Sequence, residues 1–171
     1  MSNILHTSLN ISLRRFTPND ASFIFDLLNS PTWKQFIGDR NILTPGDAVN
    51  YILNVLTPIY IQYGFGPWLV VLNNTHEAIG LCGLFKRDYL DRPDLGFAFM
   101  PGFEGRGLAY EACRAALTYI IQQYPIDKLY ATTSDGNLRS QRLLERCGFA
   151  ISGSVTPPGC NALLLYTLNL K

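Results

Sequence analysis

The sequence feature that most restricts the fold is a glycine-rich turn between a predicted strand and a predicted helix. An apolar run from Leu95 to Met100 predicts the strand, and apolar spacing from Leu108 to Tyr124 predicts the helix. The turn, residues 101–107, contains three glycines and Arg106. Glycines let backbone N–H groups converge near the positive end of the helix dipole. The turn therefore favours an anion such as a pyrophosphate, although a glycine turn alone also occurs without a ligand.

Two common phosphate-binding motifs do not fit this turn. A P-loop continues as Gly-Lys-Ser/Thr, whereas Gly107 is followed by Leu108 and Ala109. A dinucleotide fingerprint usually occupies the first β-α turn of its domain, whereas this turn lies about two-thirds of the way along the chain. We therefore expect backbone groups to hold the anion, with Arg106 as an additional cationic contact.

The other apolar patterns predict an α/β chain in the order β-α-α-β-β-β-α-β-α-β-β, a mixed sheet with helices on its faces. Two helices are expected to begin at Thr17-Pro18 and Thr44-Pro45, and Pro58 to end or kink the second. Asn73-Asn74 is typical of a two-residue hairpin turn. No repeat or linker interrupts residues 1–171, which predicts one domain. The predicted strands are 9–13, 68–72, 78–85, 95–100, 129–133, 149–152 and 162–168, and a last helix is predicted over 137–147.

Composition narrows the class of partner. The 171 residues include 14 basic and 13 acidic side chains, for a net charge of +1, so we expect neither a nucleic acid nor a membrane as partner. The four cysteines form no Cys-x-x-Cys pair, and no metal site is expected. Met1–Asn10 shows no secretory signal, which predicts a cytoplasmic location. No pattern indicates an oligomeric state.

A second motif follows the turn, with one helix and one strand between them. The segment Asn137–Phe149 reads Asn-Leu-Arg-Ser-Gln-Arg-Leu-Leu-Glu-Arg-Cys-Gly-Phe. It resembles the Asn-x-x-Ser-x-x-Leu-Leu-Glu-x-x-Gly-Phe segment of GNAT-superfamily N-acetyltransferases. The glycine turn resembles their Gln/Arg-x-x-Gly-x-Gly/Ala pyrophosphate loop, with Gly102 where the first Gln/Arg stands. The Asn-x-x-Ser form and the Thr-Pro-x-Asp helix starts most resemble the group that acetylates ribosomal-protein N-termini at alanine or serine.

The resemblance implies a fold and a cosubstrate. The fold would be a central, mostly antiparallel sheet with two splayed parallel strands and about four helices. Acetyl-CoA would be the cosubstrate, without a metal, and its pantetheine would insert between Leu95–Met100 and Leu129–Ser134. The positions that match the family's cofactor-binding residues are Phe99, Met100, Gly102, Gly105, Arg106, Gly107, Leu108, Ala109, Asn137 and Ser140. Asn137 also fits a plain helix cap, and Ser140 a small packing residue.

Catalysis departs from the common family pattern at one position. Many relatives place a tyrosine acid seven residues after the asparagine, and here that position is Leu144. Ser140 resembles the substitute proton donor of the ribosomal-protein group. Asp94, at the start of a strand that would line the cleft, is our candidate base. The alternatives are a surface role for Asp94, a water relay, Asp88, Asp91 or Glu77 as the base, and a covalent acyl-enzyme at Cys147.

The acceptor of the acetyl group is the least determined part. A protein N-terminal amine, such as that of a ribosomal protein, is the first hypothesis. A polyamine, an aminoglycoside or an amino acid is the alternative, as is a non-catalytic acyl-CoA-binding regulator on the same fold. The N-terminal helices and the loops at 33–41 and 63–67 are expected to shape the acceptor site. The aromatic residues that line it or simply pack are Trp33, Phe36, Tyr63, Phe65 and Trp68.

Overall fold

The computed structural model describes residues 3–171, so Met1 and Ser2 lie outside it. These residues form an eight-stranded mixed sheet in the order β1-β2-β3-β4-β5-β6-β8-β7. Strands β5 and β6 are parallel, and the other neighbours are antiparallel. The strands are β1 (Ile4–Thr7), β2 (Ile11–Arg14), β3 (Pro67–Leu72), β4 (Ala78–Phe85), β5 (Asp94–Phe99), β6 (Lys128–Thr133), β7 (Ala150–Val155) and β8 (Leu163–Asn169). The helices are α1 (Ala21–Asn29), α2 (Pro31–Phe36), α3 (Pro45–Tyr51), α4 (Thr57–Tyr63), α5 (Leu108–Gln123) and α6 (Leu138–Arg146).

The N-terminal strand differs from the prediction. The structure has a hairpin of β1 and β2 where one strand over 9–13 was predicted, and Leu9 lies in its turn with 88% of its surface exposed. Strand β1 is a short edge strand that is only partly buried, so it lacks the alternation of apolar and polar residues that marks a half-buried strand. The apolar pattern does describe β2, where Ile11 and Leu13 are fully buried.

Helix α2 was not predicted, although it carries the same start signal as the predicted helices. Ser30 precedes Pro31, and its Oγ accepts a hydrogen bond from the Trp33 N–H at 3.3 Å. The helix is only six residues long, which leaves too little apolar spacing to detect. The stretch predicted as a loop from Trp33 therefore begins as a helix.

Pro58 does not end the second predicted helix. The chain runs from α3 through a π-helical turn over Ile52–Leu56 directly into α4, where Pro58 sits in the first turn. The wider turn accommodates the residue that lacks an N–H, and Thr57 Oγ1 donates to the Ile52 carbonyl at 2.9 Å. With α3 and α4 forming one continuous helix, residues 3–171 contain five helices rather than about four.

The β3–β4 connection is longer than the predicted two-residue turn. It spans residues 73–77, and His76 has a positive φ of 59°. Asn73 instead ties this loop to the N-terminal hairpin, since its Nδ2 donates to the Ser8 carbonyl at 2.9 Å and its Oδ1 accepts from Ser12 Oγ at 2.7 Å. A contact over more than 60 residues in sequence overrides the local turn preference.

The core lies on both faces of the central strands. Every residue of β3 is buried, and β4 is buried from Ile79 to Leu84, as its apolar sequence predicted. Cys82 faces α5, with its Sγ 3.8 Å from Cys113 Sγ. Because side chains alternate along a strand, Phe85 and its register partner Asp94 project from the opposite face. Among residues 3–171, none of the helices combines the length and apolar character needed to cross a bilayer.

Candidate active site

The two parallel strands separate from each other almost at once. Strands β5 and β6 share one pair in register, Asp94 with Tyr130, and the Tyr130 N–H donates to the Pro93 carbonyl at 3.0 Å. By contrast, β4 and β5 are paired through Phe99. The facing edges of β5 and β6 therefore diverge toward the carboxyl ends of both strands. The splay that was predicted for these strands is present.

A splayed pair leaves backbone groups without partners on the edges that face each other. Residues Gly96–Met100 are half-buried, as expected for a strand that lines an opening. At the end of β6, the hydroxyl of Ser134 is buried and has no hydrogen-bond partner within the described residues. An extended ligand with amide groups would satisfy such positions. Ser134 was not among the predicted site residues, although it ends the segment Leu129–Ser134 that was predicted to line the cleft.

The glycine loop lies at the open end of this cleft, between β5 and α5. Gly102, Gly105 and Gly107 have φ values of 96°, 71° and 76°, which side-chain-bearing residues rarely adopt. A methyl group on any of the three would meet no other atom within 4 Å, so the space in front of the loop is open. The loop thus has a backbone conformation that glycine allows and open space in front of its backbone, both of which suit the predicted anion site.

The other predicted cofactor residues surround this loop. Phe99 ends β5 and Met100 follows it, and both are half-buried. Arg106 is exposed, with its guanidinium 5.7 Å from the Phe103 ring centroid. Leu108 is buried in the core and Ala109 is half-buried in the first turn of α5. Because the Leu108 side chain packs in the core, only its backbone is available to a ligand.

Helix α6 begins beside the open end. Asn137 Oδ1 accepts from the Ser140 backbone N–H at 3.2 Å, which confirms the helix-cap interpretation of Asn137. Ser140 is half-buried, and its hydroxyl is not used by that cap. An ion pair between Glu104 of the glycine loop and Arg139 connects the loop to α6. The two motifs of the sequence therefore meet in space.

Hydrogen bonds to the N-terminal hairpin also hold the amino end of α5. Glu111 accepts hydrogen bonds from Ser8 Oγ at 2.5 Å, from the Asn10 N–H at 2.7 Å and from Asn10 Nδ2 at 2.8 Å. These bonds tie the first turn of α5 to the β1–β2 turn. The amino end of α5, with its positive dipole, is therefore held in place in front of the open space.

Asp94 lies at the closed end of the cleft, five residues or about 16 Å along β5 from Phe99. It is 1% exposed, and Arg87 Nε lies 3.3 Å from one carboxylate oxygen and 3.4 Å from the other. Burial raises the pKa of the Asp94 carboxyl to about 6, because the loss of solvent outweighs the opposing effect of Arg87. This pKa suits a base near neutral pH.

The competing acids are placed less favourably. Glu77 is exposed at the opposite end of β4 from Phe85, the register partner of Asp94. Asp88 and Asp91 are exposed in the β4–β5 loop. Among the acids proposed from the sequence, Asp94 alone is buried beside the cleft.

A model of the acetyltransferase (GNAT) domain family matches residues 10–150. The chain belongs to this family. The resemblance deduced from the two motifs is therefore confirmed, and so is the predicted α/β fold with its splayed strands.

Individual relatives of this GNAT chain include proteins with different printed descriptions. The uncharacterized N-acetyltransferase YjdG of Bacillus subtilis is 25% identical over 107 residues, which cover 62% of this chain and 64% of YjdG. The putative ribosomal N-acetyltransferase YdaF of Bacillus subtilis is 30% identical over 154 residues, which cover 84% of this chain and 80% of YdaF. The chain thus spans less than two thirds of YjdG but most of YdaF.

Solved structures share the GNAT fold at lower identity. RimL, a ribosomal L7/L12 α-N-protein acetyltransferase in complex with coenzyme A, superposes with a TM-score of 0.81 at 15% identity and covers 97% of both chains. The aminoglycoside acetyltransferase AAC(6′)-Ib in complex with coenzyme A superposes with a TM-score of 0.76 at 22% identity, covering 93% of this chain and 94% of that one. At these identities the likeness concerns the fold alone.

Two positions of the GNAT motif segment belong to the core. Leu144, at the position of the family's tyrosine, is 1% exposed and offers no proton. Cys147 is buried, and its contact with Cys113, together with burial, raises the pKa of its thiol far above the usual range. A thiol held in this state is a poor nucleophile. The protonated state of Cys147 favours direct transfer over an acyl-enzyme there.

The aromatic residues proposed for the acceptor site divide into two groups. Tyr63, Phe65 and Trp68 form a cluster with Tyr119 of α5 and with Tyr124, the residue after α5, with ring centroids 5.2–6.1 Å apart. These three pack on the α5 side of the sheet. Trp33 is buried and Phe36 half-buried on the N-terminal helix α2.

The sequence interpretation missed the aromatic side chains that accompany Arg87 and Asp94. Burial raises the pKa of Tyr51, at the end of α3, and Arg40 and Arg87 are near enough to oppose that rise. Burial also raises the pKa of Tyr89. This residue hydrogen-bonds to Thr132 of β6 and lies near the charges of Arg87 and Asp94. No local pattern marks these two tyrosines, because they come from separate segments of the chain.

Proposed function

We propose that this chain transfers the acetyl group of acetyl-CoA to a primary amine, and that the acceptor is the N-terminal amine of a protein, such as a ribosomal protein. The observation that carries the proposal is the cleft between β5 and β6, which opens at a glycine loop and closes at a buried carboxylate. Membership of the GNAT family and the relation to YdaF support it.

The described residues fit acetyl-CoA at the open end. The pantetheine arm resembles a peptide, so its amides would pair with the unsatisfied edges of β5 and β6 and with Ser134 Oγ. Gly105, Gly107 and the amino end of α5 would hold the pyrophosphate through backbone N–H groups. Arg106 adds a positive charge at the same place. RimL and AAC(6′)-Ib, which share the fold, were both solved with coenzyme A.

The proposed chemistry is a direct attack. The ammonium of the acceptor first gives a proton to Asp94, directly or through water. The neutral nitrogen then forms a bond to the thioester carbonyl carbon, and the carbon–sulfur bond breaks. The departing sulfur takes a proton from Ser140 or from water, and the proton that the attacking nitrogen loses replaces it there, which yields free CoA and the amide. This sequence needs no covalent enzyme intermediate and is compatible with the protonated Cys147.

An aminoglycoside or another polycation is the second candidate acceptor, since AAC(6′)-Ib shares the fold. The charges at the closed end do not favour it. The buried carboxylate of Asp94 is already paired with Arg87, and Lys86 and Arg40 add positive charge nearby. A polycation would gain little net attraction there.

The test is a thiol-release assay with acetyl-CoA against peptides with N-terminal alanine or serine, spermidine, kanamycin and free amino acids, in the presence of a chelator. We expect CoA release that depends on the peptide, with the acetyl group found on its N-terminal amine by mass spectrometry. Faster release with kanamycin or spermidine would favour the second candidate. Tight CoA binding by calorimetry without release on any amine would indicate the non-catalytic acyl-CoA-binding regulator instead.

A further inference from the structure

We infer that Arg87 binds the carbonyl oxygen adjacent to the acceptor's amine, so that the acceptor is an α-amino acyl group rather than a simple amine or a polyamine. The inference rests on the proposed function, because it assumes that the acceptor enters at the closed end of the cleft. It adds a specificity-determining residue to that end.

The first observation concerns the contacts that the guanidinium of Arg87 makes. Its Nε faces both oxygens of Asp94, at 3.3 and 3.4 Å. Its central carbon lies 4.6 Å from the centroid of the Phe85 ring. Within residues 3–171, its two terminal nitrogens make no hydrogen bond, and the side chain is 33% exposed. Four N–H donors therefore remain available next to the buried carboxylate.

The second observation is that Arg87 is held in place rather than mobile. The Phe85 ring lies flat against β5 because Gly96 has no side chain, and a methyl group there would lie 2.5 Å from the ring. The ring forms a shelf for the guanidinium, and cation–π attraction adds to the ion pair with Asp94. A fixed guanidinium loses little conformational freedom when it binds a ligand oxygen.

The third observation is the arrangement of charge around Asp94. The β4–β5 loop places Arg87, Lys86 and Tyr89 near the carboxylate, and Tyr130 is its register partner on β6. Tyr51 of α3 lies near both Arg87 and Arg40, the latter from the α2–α3 loop. Asp91, which bonds to Tyr130, is exposed, and the three cations of this set outnumber its two carboxylates. A second ammonium on the acceptor would therefore be repelled, whereas a carbonyl or carboxylate oxygen would be attracted.

Together these features match the geometry of an α-amino acyl group. In such a group the amine nitrogen and the carbonyl oxygen are attached to neighbouring carbons. The amine would meet Asp94 while the carbonyl oxygen would meet the terminal N–H groups of Arg87. A peptide N-terminus and an α-amino acid amide both present this pair, whereas spermidine presents only ammonium groups.

The experiment uses two acceptors that differ only in the carbonyl group. Alaninamide and isopropylamine both carry a primary amine and a methyl group on one carbon, but the second has a methyl in place of the carboxamide. Because the carboxamide makes the amine less basic, rates are compared per unprotonated amine. Each is measured with the wild type, Arg87→Ala, Arg87→Lys and the control Arg92→Ala, whose native side chain instead binds Asp127 at 2.8 Å. The readouts are kcat/KM with acetyl-CoA and acceptor binding to the CoA-saturated protein by calorimetry.

We expect Arg87→Ala to reduce the preference for alaninamide over isopropylamine by about tenfold or more, the usual worth of a hydrogen bond from a charged group. An effect of Arg87 through Asp94 alone would slow both acceptors equally and leave that ratio unchanged. The ratio thus separates contact with the acceptor from positioning of the base. Arg87→Lys should restore part of the preference, and Arg92→Ala should keep all of it.

Each remaining outcome has a defined meaning. An unchanged ratio in Arg87→Ala overturns the inference and leaves the proposed acetyl transfer standing. So does a wild-type preference for spermidine or kanamycin over alaninamide. If the wild type transfers to no amine but the CoA-loaded protein binds alaninamide in an Arg87-dependent way, the proposed activity fails and the inference holds. Absence of both transfer and binding overturns both.

Discussion

The two ends of the β5–β6 cleft hold their functional groups in opposite ways. The open end is built from backbone, with glycines at positive φ, the amino end of α5 and little side-chain material in front of them. The closed end is built from side chains, with a buried carboxylate, one arginine and two tyrosines from separate segments. Under the proposed function, the open end would bind the cosubstrate, and the closed end would determine the chemistry and the acceptor.

The largest expected effect is at the closed end. Asp94→Asn should lower kcat by about 10²-fold or more, the usual contribution of a general base. Because burial places the pKa of Asp94 at about 6, the wild-type rate should fall as pH decreases through about 6, where the base becomes protonated. Steady-state kinetics from pH 5 to 8 measure both effects. A variant that keeps the wild-type rate would assign the base role to water.

The same variant reports on burial independently of catalysis. The folded pKa of Asp94 lies above its ordinary value of about 4, so the stability it contributes is present at low pH and is lost as pH rises to about 6. A shift of about two pKa units corresponds to about 3 kcal/mol. Asp94→Asn should lack this pH-dependent loss in denaturant unfolding between pH 4 and 7. If the two proteins show the same pH dependence, Asp94 is ionised in contact with solvent.

The two ends of the cleft also differ in how many of their residues could be predicted from the sequence. The glycine loop and the Asn137 cap are local, because a few neighbouring residues determine φ, helix start and backbone direction. Their positions followed from the sequence directly. The surroundings of Asp94 depend instead on Tyr51, which comes from a helix more than 40 residues earlier. No periodicity encodes such a contact, so Asp94 was predicted but the residues around it were not.

The same distinction explains the errors in the fold. Central strands β3 and β4 were predicted because burial gives them continuous apolar sequences. The β3–β4 loop was predicted too short because Asn73 bonds to Ser8 and Ser12, which a local turn rule ignores. Pro58 was expected to end or kink the helix. The helix does not end there, because the π-helical turn before Pro58 accommodates the missing N–H.

An intermediate effect is expected at the open end. Gly107→Glu should weaken CoA binding by at least about tenfold, or 1.4 kcal/mol, because the carboxylate repels the pyrophosphate and occupies its approach. The fold should persist, since a side chain at Gly107 meets no other atom within 4 Å. Calorimetry with CoA provides the measurement.

Gly64→Glu is the matched control for this variant. Gly64 ends α4 with a φ of 74°, close to the 76° of Gly107, and it too has open space in front of it. Both variants therefore carry similar backbone strain and the same added charge, and Gly64 lies away from the loop between β5 and α5. Equal loss of CoA affinity in the two would mean that strain, and not the pyrophosphate site, is responsible.

The smallest expected effect concerns Ser140, in the first turn of α6. Asn137 caps the Ser140 backbone N–H rather than its hydroxyl, so Ser140→Ala should leave α6 intact. A thiolate departs readily without a proton, and one neutral hydrogen bond is worth about 0.5–1.5 kcal/mol. We therefore expect kcat to fall by roughly two- to tenfold, with CoA affinity unchanged. Ser152→Ala, which removes a hydroxyl on the exposed strand β7, is the control.

The division between kcat and CoA affinity decides what Ser140 does. Ser134→Ala provides the contrast, because its buried hydroxyl lies at the end of β6 without a partner and should act on CoA affinity alone. If Ser140→Ala behaves like Ser134→Ala, then Ser140 belongs to the binding end of the cleft and water protonates the sulfur. If only kcat falls, the side-chain chemistry of the closed end extends to α6, and the boundary between binding and catalysis lies between Ser134 and Ser140.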